Sequence, residues 1–306
     1  MTTLVFGHKS PDTDTTGSAI VWAWYLNEVQ GEAAEAVLLG EPNTEAAFML
    51  ARWDCPKPRI IDGVDAGQPV IIVDTNNPDE LPDGINDADI RAIFDHHKLV
   101  GGLETKGPID ITIRPLACTA TILHDAMADA ADIPGWVKGV MLSCILSDTL
   151  EFRSPTTTDH DRAVAEKLAT ELGVVIPNYA AEMFAAKSDV SAFSEADLLR
   201  MDSKAYEVGG KKFRVSVLET TSPDTVLARK DSLAAAMHSV ATEDDVDQVL
   251  FFVVDILNEE STLLVPNDLV KSVAEKSFST LVGDSDTVVL PGVVSRKKQI
   301  IPNLQV

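Results

Sequence analysis

Four apolar segments in the first half of the chain each run into ionisable side chains, and no other feature narrows the fold so far. After Thr-Leu-Val-Phe (residues 3–6) come His8, Asp12 and Asp14, and after Val-Ile-Ile-Val (70–73) comes Asp74. After Arg-Ala-Ile-Phe (91–94) come Asp95, His96 and His97, and after Leu-Ser-Cys-Ile-Leu (142–146) comes Asp148. Short β-branched runs alternate here with helical patterns, the signature of an α/β domain with a mostly parallel, doubly wound sheet. Strands are expected at residues 3–6, 35–39, 58–61, 69–73 and 91–94. Helices are expected at 15–29, capped by Thr15 or Thr16, at 119–130, and at 134–149 with Pro134 at the start. In an open parallel sheet the carboxyl ends of the strands line one edge, where ligands bind, so residues far apart in sequence converge.

The pattern changes past residue 188. Ser194 and Asp197 have capping-box spacing for a new helix. Beyond it lie an expected strand (211–220), a helix (223–241), two strands around a polar turn within 246–266, and two extended runs broken by Pro291-Gly292. This predicts a domain at 1–188, a linker at 189–195 and a smaller α/β domain with a mixed sheet at 196–306. A chain of 306 residues accommodates two such cores.

A net charge of −23 argues against non-specific binding to nucleic acid or membrane surfaces, and an anionic substrate would need a locally positive site. The three cysteines, Cys55, Cys118 and Cys144, are scattered without CxxC spacing, so neither a disulfide framework nor a thiolate metal site is expected. The apolar runs are too short for a signal-peptide core or a membrane span, and a cytoplasmic protein is expected.

An aspartate after a strand is most often a turn former or a helix cap. Several such sites together, with no lysine next to most of the carboxylates, make independent caps a poor joint explanation. A metal centre explains them at once, because carboxylates crowded into one turn repel each other unless cations lie among them. Carboxylate and imidazole without thiolate suit Mn2+ or a similar divalent ion. Four carboxylates and two imidazoles are too many for one ion and suit two, an arrangement that activates water and clamps a phosphoryl group.

The segments GHKSPDTD, VDTNN, DHHK, SDTLEFRSPT, DSKAYE and SRKKQ occur in this order along essentially the whole chain. In this the chain resembles the manganese-dependent, family II inorganic pyrophosphatases of the DHH phosphoesterase superfamily. The resemblance implies an N-terminal DHH domain, a C-terminal DHHA2 domain and an active site in the cleft between them. His8, Asp12, Asp14, Asp74, His96 and Asp148 match the metal ligands, for two Mn2+ ions, with Co2+ as an alternative and further Mg2+ arriving with the substrate. Lys204, Arg296 and Lys297 match phosphate-binding positions, whereas Lys298 is expected to face solvent. His97 matches the histidine that lies near the phosphates and donates a proton to the departing group. Asp95 is expected to orient His96 or a metal-bound water. His124, His160 and His238 have no partners in the pattern and are expected to be non-functional.

The resemblance implies hydrolysis of pyrophosphate to two phosphates by a metal-activated hydroxide, with a homodimer formed through the N-terminal domain. The alternative is a short-chain polyphosphatase or another DHH-superfamily phosphoesterase. Thr15 stands where serine is common and Arg153 where lysine is frequent; neither change removes a ligand.

Overall fold

The chain divides into two units, Met1–Ala186 and Lys187–Val306, in a computed structural model that describes every residue except Asp129 and Ala131. The first unit holds a parallel sheet of β1 (Thr3–Phe6), β2 (Ala34–Leu38), β3 (Arg59–Ile60), β4 (Pro69–Val73), β5 (Asp89–Asp95) and β6 (Asp110–Ile113). Their order is β3-β2-β1-β4-β5-β6. The chain lays β2 and β3 to one side of β1, then returns to lay β4, β5 and β6 on the other. At this reversal the loops leaving β1 and β4 diverge and open a crevice at the carboxyl ends of the strands. His8 lies in the first loop, and Asp74 begins the second.

Alternating side chains of the strands feed two cores. Val5, Ile71, Val73 and Phe94 pack with α1 (Thr13–Tyr25), α2 (Thr44–Arg52), α3 (Thr119–Ala126), α4 (Gly135–Asp148), α5 (Asp159–Leu172) and α6 (Ile176–Lys187). Leu4, Phe6, Val70, Ile72 and Ile93 pack on the opposite face against Leu81, Ile85 and Ala88 of the β4–β5 connection. Both central strands are buried along their whole length, hence their near-continuous apolar sequences.

The five expected strands of this unit form within two residues of their expected ends. Strand β6 is additional to these, a half-exposed edge strand with little apolar pattern. The cap of α1 is Asp12, not Thr15 or Thr16: Asp12 is extended and its carboxylate accepts the Thr15 N–H at 2.9 Å, so the helix starts two residues earlier than expected. Helix α3 ends at Ala126, short of the expected residue 130, and Asp129 of that expected span lies outside the described residues.

Helices α1 and α4 approach closely because Gly17 has no side chain; a Cβ there would lie 2.3 Å from Cys144 Sγ. Gly17→Ala should therefore destabilise the chain by about 1–3 kcal/mol through overpacking. A thermal melt checks this, and Cys144→Ala should cost less in the Gly17→Ala background than in the parent.

In the second unit α7 (Glu195–Arg200), β7 (Ser203–Val208), β8 (Lys211–Thr220), α8 (Pro223–Leu227), α9 (Lys230–Glu243), β9 (Gln248–Asp255), β10 (Glu260–Leu264), α10 (Asp268–Phe278) and β11 (Thr287–Pro291) follow in sequence. The strand order is β11-β10-β9-β8-β7, with β8 and β9 parallel and every other pair antiparallel. The Ser194–Asp197 capping box is formed. Of the residues expected to be a linker, Val190 is buried in this unit's core, and Arg229 donates to the carbonyls of Val190 and Phe193. The single helix expected at 223–241 is two, separated at Ala228-Arg229. The expected extended run after Gly292 is instead a helical turn over Arg296–Ile300, because Ser295 caps it and Gln299 accepts the N–H groups of Val294 and Ser295. Among the described residues no helix is long and apolar enough to cross a membrane.

Candidate metal centre and basic cluster

The turn after β1 and the start of α1 present three side chains to the crevice. His8 Nε2 lies 3.6 Å from Asp12 Oδ2 and 3.5 Å from Asp74 Oδ2. Asp14, only 1% exposed, accepts the Ser18 hydroxyl at 2.8 Å and the N–H groups of Thr119 and Ala120 at 2.7 and 3.2 Å. The last two are unpaired donors of the first turn of α3, where the helix dipole favours negative charge.

Asp74 stands in the left-handed region, with φ 61°. Its Oδ2 accepts the Thr15 hydroxyl at 2.6 Å, and its Oδ1 accepts the Thr119 hydroxyl at 3.2 Å and lies 3.2 Å from His96 Nε2. One oxygen thus faces His8 and the other His96. The His96 ring is oriented from behind by the Leu116 carbonyl, 3.2 Å from Nδ1, which leaves Nε2 to the centre.

Asp95 is fully buried, accepts the N–H groups of His96 and His97 at 2.8 and 3.0 Å, and is bonded by Asn76. It also meets His97 Nδ1 at 2.9 Å. The ring that it meets is that of His97, whereas the sequence suggested His96 or a metal-bound water as what Asp95 orients. His97 keeps 55% of its side chain exposed, so its Nε2 is available outward.

Asp148 closes α4, and its Oδ2 is buried without a hydrogen-bond donor among the described residues. Leu150, Glu151 and Phe152 follow with φ of 47°, 52° and 69°. Three consecutive non-glycine residues in this region cost roughly 1–2 kcal/mol each. They are held by the Glu151 N–H to Leu146 O and Ser154 N–H to Thr149 O bonds, and by the Arg162 guanidinium 4.3 Å over the Phe152 ring. Strain of this kind clusters at functional sites.

The electrostatics show a centre short of positive charge. Burial raises the Asp14 carboxyl to about 7, with the charge of Asp74 adding to it. Burial, then Asp14 and Asp74, push Asp148 far above the usual carboxylate range. Burial alone would lower His8, but Asp12 and Asp74 outweigh it and raise it to about 10; Asp74 chiefly raises His96 to about 9 against the same burial. Ligand atoms of His8, Asp12 and Asp74 lie within 4.8 Å of one another, as do those of Asp14, His96 and Asp148, and those of Asp74, His96 and His97. The first two groups together contain the six expected ligands. An orphaned buried carboxylate oxygen beside further carboxylates fits divalent cations, whose charge would offset the cost of burial.

In the second unit, Arg296 donates to the Asp202 carbonyl at 2.7 Å and pairs with its carboxylate at 2.9 Å. Asp202 is two residues before Lys204, so Arg296 and Lys204 gather at the start of β7. Lys204, Lys297 and Lys298 are exposed. Sequence reasoning missed Thr15, Asn76, Leu116 and Thr119, which hold the ionisable groups in place. Of these, Thr15 and Thr119 carried a signal, each as the first residue of an expected helix, and Asn76 lay in the VDTNN segment. His160, expected to lack a partner, lies 2.9 Å from Asp125, to which Arg114 also binds.

Fold and site together define a protein with a metal-binding α/β domain of the DHH type joined to a DHHA2 domain: residues 2–147 match the DHH family, N-terminal domain, and residues 181–306 the DHHA2 domain. A probable manganese-dependent inorganic pyrophosphatase of Lactobacillus acidophilus is 37% identical over 303 residues, 98% of this chain and 96% of its own. Its counterpart in Shouchella clausii is 38% identical over 305 residues, 99% of this chain and 96% of its own. A solved protein of Methanococcus jannaschii assigned to the family II inorganic pyrophosphatases superposes with a TM-score of 0.62 at 32% identity, covering 99% of this chain and 98% of that one. The chain belongs to the family of manganese-dependent inorganic pyrophosphatases.

Proposed function

We propose that this chain hydrolyses inorganic pyrophosphate to two phosphates, at a centre where His8, Asp12 and Asp74 would hold one Mn2+ ion and Asp14, His96 and Asp148 a second. The observation that carries the reading is the convergence of these six side chains at the β1/β4 switch point, in two adjacent groups, in a chain of this family. The cations supply a lowered pKa for water and neutralisation of phosphate charge. Co2+ suits the same oxygen and nitrogen donors, and Mg2+ accompanies the substrate.

The chain's own residues perform the remaining work. Asp95 fixes the His97 ring through Nδ1, so that Nε2 can give a proton to the departing phosphate. Lys204, Arg296 and Lys297 bind the phosphate oxygens, with Arg296 exchanging its Asp202 contacts for them. Arg296→Ala and Lys204→Ala should each raise KM and lower kcat while leaving bound Mn2+ unchanged. Arg296→Lys should also be impaired, because an ammonium cannot replace a bidentate guanidinium. Steady-state kinetics with metal analysis checks this; unchanged kinetics in Arg296→Ala would return the basic run to a solvated loop.

The test of the activity is phosphate release from pyrophosphate, tripolyphosphate and a dinucleotide, each with Mn2+ and with Mg2+ alone. Pyrophosphate with Mn2+ should be fastest; faster tripolyphosphate cleavage favours the polyphosphatase reading, and faster dinucleotide cleavage refutes both. The free cysteines Cys55, Cys118 and Cys144 accord with a cytoplasmic protein. The first unit ends in edge strands, β3 and β6, that leave backbone groups unpaired on their outer sides. They support a homodimer through this unit. Sedimentation should give a dimer at micromolar protein with Mn2+, and a monomer with and without the ion rules it out.

A further inference from the structure

Glu45 is fully buried in the first turn of α2 although its side chain is ionisable. One oxygen, Oε2, accepts two hydroxyls: that of Thr13 at 2.9 Å and that of Ser147 at 2.6 Å. Thr13 lies between Asp12 and Asp14, and Ser147 directly precedes Asp148. The two donors therefore belong to the helix ends that carry three of the four carboxylates of the centre, and they come from two different helices. Thr13 is completely buried and Ser147 is 5% exposed. Hydroxyls so placed need an acceptor, and a single oxygen serving both fixes the separation of the two backbones.

The same turn of α2 is tied to the metal-binding loop a second time. The Asn43 N–H donates to the Pro11 carbonyl at 3.0 Å, while the Asn43 side chain caps α2 through the Ala46 N–H at 2.8 Å. On the other side Cys144 of α4 donates its thiol to the Thr13 carbonyl at 3.3 Å. The start of α2 is thus a brace between the beginning of α1 and the end of α4.

We infer that Glu45 is a positioning residue for the cation pair: by holding Thr13 and Ser147 on one oxygen it sets the distance between the Asp12/Asp14 side of the centre and Asp148. It touches neither substrate nor cation and acts through the backbones of its two partners. This rests on the two-cation reading above. Partners that orient metal ligands typically contribute 10–100-fold to metal affinity, and Glu45 should fall in that range because it serves two ligand-bearing segments at once.

The experiment is Mn2+ binding to the full chain stripped of metal, read from the electron paramagnetic resonance signal of free Mn2+, with a thermal melt of each metal-free variant. Glu45→Ala should weaken binding of at least one ion by about 10–100-fold. Ser147→Ala should weaken it in the parent but add little to Glu45→Ala, because both remove the same link. If Glu45→Ala does not fold, Ser147→Ala alone reads the same quantity. Mn2+ affinities within twofold of the parent in the folded variants, even with lowered melting temperatures, would make the role purely structural and overturn the inference. A parent chain that binds no Mn2+ overturns the two-cation reading as well, so the two failures are distinguishable.

Discussion

Asp74→Asn is expected to lose about one bound ion per chain and at least about a hundredfold in pyrophosphate hydrolysis. A hundredfold is the upper range for removing a residue that merely orients a ligand, and here the ligand itself changes. Asp74 faces His8 with one oxygen and His96 with the other, so it touches both candidate cation groups through different atoms. Replacing one oxygen by an amide removes an acceptor from one group and a negative charge from both. The backbone is not the reason: Asp74 has φ 61°, and asparagine tolerates that region as well as aspartate does. The hydroxyls of Thr15 and Thr119 donate to different oxygens of the carboxylate, so in either orientation the amide can accept from only one of them. Metal analysis after gel filtration checks the stoichiometry. Two ions retained by Asp74→Asn would show that the carboxylate is not shared.

Asp148→Asn should act with opposite signs in the two metal states. In the metal-free chain, Asp148 Oδ2 is buried without a donor, beside Asp14. An amide there needs no proton taken up on folding, as the raised carboxyl does, and offers an N–H to the neighbouring carboxylate. Relief of an unsatisfied buried group is about 1–3 kcal/mol, which in a domain of this size raises the melting temperature by about 2–4 °C per kcal/mol. With Mn2+ present the same change removes a ligand, so the parent should gain stability from the ion by mass action and Asp148→Asn should gain little. Activity should fall as for Asp74→Asn. Paired melts in chelator and in Mn2+ read both signs, and a variant less stable than the parent in chelator would show that the Asp148 charge is compensated without metal.

How much of the site was legible depended on whether a residue's role is carried by its own chemistry. His8, Asp12, Asp14, Asp74, His96 and Asp148 announced themselves because ionisable groups at the ends of apolar runs need a reason to be there, and the structure brings all six together. Asp95 stood out for the same reason, but its partner His97 was not legible, since adjacent rings project differently and sequence cannot say which of them a buried carboxylate meets. Glu45 was not noticed at all. It sits in a helix whose composition looks ordinary, and its meaning lies in two hydroxyls that are 32 and 102 residues away.

The parallel strands of the first unit, its central β1 and β4, and the chemistry at their ends were determined by the sequence itself, because burial on both faces demands continuous apolar runs and turns demand polar ones. Edge elements were not: β6 and β7 are half-exposed, so the pattern that reveals a strand by its burial is weak in them. The tail around Arg296 was likewise decided by tertiary structure, where Ser295 and Gln299 satisfy backbone groups that an extended chain would leave to neighbours. Only the fold decided that residues 8 and 148 belong to one centre, since the switch between β1 and β4 and the close α1–α4 contact at Gly17 are what bring carboxylates within a few ångströms. Local propensity acts over a few residues. The repulsion that calls for cations among these carboxylates exists only once the chain has closed around them.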